Sequence, residues 1–152
     1  MTKSVVEVKV RAVLPTQAGR AVFLGNEEKA FVLYVDEPVG NAIAMFLNGA
    51  HNTRPMTHDL ICLLLAALGA KVERVVINDV KAATYLARLI VSAENELQAR
   101  KIIEIDARPS DCIALAVAHH APIYVSRDVW EEAEDMSEIL RKMSEESDEG
   151  EE

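Results

Sequence analysis

From Leu60 to Leu68 the chain reads Leu-Ile-Cys-Leu-Leu-Leu-Ala-Ala-Leu, without a charge, entered by Thr57 and Asp59 and closed by Gly69. A hydroxyl and an acid ahead of an apolar run, with Gly after it, are helix start and stop signals. The spacing therefore predicts a helix from Thr57 to Gly69 with Thr57 as its N-cap. A helix apolar almost all round belongs in the centre of a domain, so the rest of the chain is expected to wrap around it. The run is too short for a bilayer core of ~30 Å, and a soluble, cytoplasmic protein without a membrane partner is expected.

Around this segment the dominant pattern is the strand. Val6, Val8, Val10 and Ala12 alternate with Glu7, Lys9 and Arg11, the period of a half-buried strand. Residues 21–25, 30–35, 72–80, 84–92, 101–106 and 123–125 read as further strands. Helices are expected from the Asp36-Glu37-Pro38 entrance to Asn48-Gly49 and from Ser110 to about His119. The βαβ alternation of a doubly wound sheet is missing, so the fold class is α+β: a single domain with a mixed, largely antiparallel sheet and interspersed helices. Length agrees, since 152 residues is about one domain's worth of chain.

Charge divides the chain unevenly. Residues 131–152 hold 11 of the 25 acids and 2 of the 16 bases, leaving 14 of each in residues 1–130. A neutral body lacks a broad basic face, so nucleic acid would have to bind through a local cluster. The domain proper is expected over residues 1–130, an amphipathic helix anchored by Trp130 over 131–143, and a disordered acidic tail over 144–152. Cys62 and Cys112 sit in apolar stretches without zinc-ligand spacing and read as buried free thiols.

Two segments resemble each other: Arg54-Pro55-Met56-Thr57-His58-Asp59-Leu60 and Arg108-Pro109-Ser110-Asp111-Cys112-Ile113. Each is Arg-Pro, a hydroxyl in the N-cap position, and an Asp in the first turn of an apolar helix. A helix start with free N–H groups beside an Arg is a seat for phosphate, which makes Arg54, Arg108, Thr57 and Ser110 candidate phosphate-binding residues. His58, Asp59 and Asp111 are the candidate catalytic residues, and Asp59, Asp106 and Asp111 the candidate ligands for Mg²⁺ or Mn²⁺. The competing reading makes the Arg and Asp residues cross-braces between two buried helix starts. No Gly-rich phosphate loop, GxSxG elbow or HExxH stretch occurs, and no organic cofactor is expected.

The string at 54–60, then Leu68-Gly69-Ala70-Lys71-Val72, Ile105-Asp106-Ala107-Arg108-Pro109-Ser110-Asp111, Ile113-Ala114-Leu115-Ala116 and Ala121-Pro122-Ile123, closely resembles the bifunctional nuclease family, over roughly residues 5–128. The resemblance implies a single α+β domain that self-associates as a dimer or larger homo-oligomer and acts as a nuclease on DNA and RNA. Its Arg-Pro-x-Thr-His-Asp motif falls on Arg54, Pro55, Thr57, His58 and Asp59. Its Asp-x-Arg-Pro-Ser-Asp motif falls on Asp106, Arg108, Pro109, Ser110 and Asp111. One departure stands out: where the family usually has Ile-Gly-x-x-Glu, this chain has Val35-Asp36-Glu37-Pro38-Val39, so any role of that Glu would pass to Glu37. The alternative to phosphodiester hydrolysis is a non-enzymatic module for an anion, a nucleotide or a protein, or a structural oligomer, on the same fold.

Overall fold

The first strand, β1 (Val5–Thr16), is long enough to serve two neighbours. Its start, Val5 to Val8, pairs antiparallel with β7 (Ile123–Ser126), and from Lys9 onward it pairs with β2 (Gly19–Gly25), with an irregularity between Val10 and Ala12. In the computed structural model, which describes residues 4–149, β3 (Ala30–Val35), β4 (Ala70–Lys81), β5 (Thr84–Glu94) and β6 (Arg100–Ala107) complete the sheet. The order is β3-β2-β1-β7-β4-β5-β6, antiparallel throughout except between β4 and β7. The α+β, single-sheet expectation holds, and strand positions agree within a few residues because alternation is a local signal. The β4–β5 turn uses Ala82 and Ala83, both at positive φ (49° and 65°), where the usual hairpin chemistry is Asn-Gly.

Three helices lie on the sheet: α1 (Glu37–Leu47), α2 (Thr57–Ala67) and α3 (Pro109–His119). The central one is α3, not the apolar run around residue 64. Cys112, Ile113, Ala114, Leu115 and Ala116 are all buried, whereas Leu60, Leu63, Leu64 and Leu68 are 52%, 55%, 53% and 76% exposed. Only Ile61, Cys62 and Leu65 of α2 pack against the core. Hydrophobicity measured all round a helix states what could be buried, but the alanines of α3 permit the close approach to sheet and neighbours that large leucines prevent. Gly40 of α1 serves a similar purpose, since a Cβ there would clash with the Cβ and Cγ of Arg20.

The helix starts also differ from expectation. The N-caps are Met56 and Arg108, which places Thr57 and Pro109 at N1, His58 and Ser110 at N2, and Asp59 and Asp111 at N3. The hydroxyls do not cap; at α2 the N3 acid does, as Asp59 Oδ2 accepts the Met56 N–H at 2.9 Å, the reciprocal half of a capping box.

At the C-terminal end the single expected helix is two, α4 (Arg127–Glu132) and α5 (Ser137–Glu149). The break arises where Met136 N–H donates to Ala30 O and Asp135 Oδ1 accepts from Ser137 N–H at 3.0 Å. The first bond, to the start of β3, and the second, a local turn, displace the helical ladder. Trp130 is buried edge-on against Phe31, 6.1 Å between centroids, and Leu140 packs with Ala21, Phe23 and Ala30. Helix α5 runs to Glu149, through most of the segment expected to be disordered; the rest of that tail, residues 150–152, lies outside the described residues. No helix among the described residues is long and apolar enough to cross a membrane.

Candidate functional site

One face of α1 and the first turns of α2 and α3 enclose a cleft of about 610 Å³. Its apolar wall comes from α1: Pro38, Val39, Ala42, Met45 and Phe46. Facing it stand Thr57, His58 and Asp59 of α2 with Arg108 and Asp111 of α3, and Glu37 borders the wall. A larger, more open depression of about 720 Å³ beside Gly69, Asn95 and Lys101 contains none of these residues.

The polar side is organised around Asp111. Its Oδ1 lies 3.0 Å from His58 Nε2, and its Oδ2 accepts from Arg108 Nε at 2.9 Å. Burial pushes the Asp111 carboxyl up, but the hydrogen bonds from Arg108 and His58 outweigh it and hold the group below its ordinary value. An ionised carboxylate only accepts, so Nε2 carries the proton. His58 Nδ1, without a protein partner among the described residues, is not sealed from solvent. The hydrogen bond to Asp111 in turn raises the Arg108 guanidinium above its ordinary value, with Asp36 contributing through a 3.5 Å contact from Oδ2 to Nη1.

Asp59 is held differently. Besides the Met56 N–H, its Oδ2 accepts from Asn52 Nδ2 at 3.4 Å. Three candidates fall elsewhere. Arg54 is exposed in the bend before α2, Ser110 is half-buried on α3, and Asp106 stands on β6 opposite Arg88 of β5; none lines the cleft. Among the described residues no three His, Cys, Asp or Glu side chains gather as a metal site. Both Asp111 oxygens accept hydrogen bonds, and Asp106 lies outside the cleft.

The thiols take no part in the cleft. Burial, with Asp111 and Asp106 nearby, pushes the Cys112 thiol up to about 12. Burial likewise raises the half-buried Cys62 thiol. The sequence reasoning missed the apolar wall and the reach of Asp36. The helical spacing of Pro38, Ala42, Met45 and Phe46 signalled one face, but not that it would border a cavity.

Residues 22–138 match the bifunctional nuclease domain. An uncharacterized protein of Mycobacterium tuberculosis strain CDC 1551 / Oshkosh and another of strain ATCC 25618 / H37Rv are each 35% identical over 108 residues. Those residues make up 71% of this chain and span 61% of the length of each relative.

Proposed function

The chain belongs to the bifunctional nuclease family, and from that premise we propose that the cleft between α1, α2 and α3 hydrolyses phosphodiester bonds of DNA or RNA in the cytoplasm. The observation that carries this reading is the His58–Asp111 pair at 3.0 Å with Arg108 on the same carboxylate. Asp111 fixes the tautomer of His58, so that Nδ1 presents a lone pair to a water in the cleft. That water loses its proton to Nδ1 as its oxygen bonds to phosphorus; the bond from phosphorus to the leaving oxygen breaks, and the leaving oxygen takes a proton from solvent. Arg108 holds the non-bridging oxygens, and Thr57 borders the phosphate seat.

Cleavage of labelled single-stranded RNA and DNA is the test, with Mg²⁺, with Mn²⁺ and with chelator, beside Asp111→Asn prepared identically. Cutting that falls about 100-fold in the variant, roughly 2.7 kcal/mol of barrier, supports the site. Equal cutting by both proteins refutes it. A second reading rests on Val39, buried in the apolar wall where the family usually has Glu: the cleft binds nucleotide without cutting it. Salt-sensitive binding with intact substrate favours that reading. Self-association belongs to the same proposal. The exposed leucines of α2 form the kind of apolar surface that a second copy covers, and sedimentation of the wild type against Leu64→Gln tests it.

A further inference from the structure

Asp36 is the N-cap of α1, a position where the carboxylate ordinarily turns back to accept an N–H of the first turn. It makes no such bond here. Pro38 occupies N2, so one of the two donors that a capping oxygen would use is missing. The carboxylate reaches instead to Arg108, Oδ2 to Nη1 at 3.5 Å over 72 residues of sequence. Arg108 already gives Nε to Asp111 at 2.9 Å. A phosphate seated in the cleft needs the remaining guanidinium N–H groups, and Asp36 stands on one of them. Both side chains are largely exposed, 73% for Asp36 and 60% for Arg108. Such a screened contact contributes little to folding and exchanges readily, so its consequence falls on the ligand.

We infer that Asp36 is an acidic latch on Arg108 that an incoming phosphate must displace. The inference rests on the proposed role of Arg108 as a phosphate seat. It is tested by fluorescence anisotropy with a 5′-fluorescein-labelled single-stranded octanucleotide, in chelator and at low salt, using the full chain. Wild type, Asp36→Asn, Arg108→Gln and the double variant are compared, each with its melting temperature. The latch requires Asp36→Asn to bind about threefold tighter, with unchanged melting temperature and with the gain absent in the Arg108→Gln background. Unchanged or weaker binding by Asp36→Asn overturns it, as does a gain that persists without Arg108. If Arg108→Gln loses binding but Asp36→Asn gains none, the latch falls and the phosphate seat stands. Arg108→Gln binding as tightly as wild type, or no binding by any of the proteins, removes the seat and the latch together.

Discussion

Helices α2 and α3 are two versions of one local design with opposite fates. Both are apolar, both open with an acid at N3, and both deliver a side chain to the cleft. Yet α3 buries five consecutive residues in the core, while α2 leaves Leu60, Leu63 and Leu64, with its C-cap Leu68, at the surface. Their acids part in the same way: Asp59 caps its own helix, and Asp111 binds side chains from two elements. A local pattern can thus specify a helix and its first turn without specifying its place in the domain or the chemistry of its acid.

The largest effect that would sharpen this contrast is in the core. Ile113→Ala on α3 should cost about 2–5 kcal/mol in a denaturant titration; a loss under about 1 kcal/mol would mean that α3 is not the central helix. Next comes Asp111→Asn, whose effect belongs in single-turnover cleavage as the loss of about 100-fold given above. Asp59→Ala should do the reverse, lowering stability by about 1 kcal/mol while cleavage stays within a few-fold. If Asp59→Ala abolishes cutting at an unchanged melting temperature, the two acids have exchanged roles. Leu64→Gln on the open face of α2 should change unfolding free energy by no more than about 0.5 kcal/mol in dilute protein. A much larger loss would show that the leucine face is covered by another copy under those conditions.

The smallest effect is pH dependence. The Asp111 carboxyl is held below its ordinary value in the fold, so its stabilising contribution is fully present above the unfolded value of about 3.9 and is lost as pH falls through the lower, folded value. The stability gap between wild type and Asp111→Asn should therefore be constant near neutrality and shrink below about pH 4. A gap that grows on acidification would contradict the ion pairs drawn around Asp111.

Much of the lining of the candidate cleft was legible. Arg108, His58, Asp59, Asp111 and Thr57 do border one cleft, because helix-start signals are local and the two motifs open neighbouring helices. Arg54, Ser110 and Asp106 were equally prominent in the motifs but lie outside it, since a bend, a helix angle and a strand register decided where they point. Asp36 read only as part of the entrance to α1. Its contact with Arg108 spans 72 residues and leaves no trace in local spacing.

By itself the sequence determined the elements and the sheet class, because alternation, apolar runs and Gly or Pro boundaries act through neighbours along the chain. It determined the family as well, through two long motifs in order. Tertiary structure alone decided which apolar helix became the core, where the C-terminal helix breaks over Ala30, and which acid meets His58. Those outcomes depend on how closely backbones approach and which polar groups meet across the fold, and the physical forces that settle them, packing and the pairing of half-buried charges, act between residues far apart in sequence.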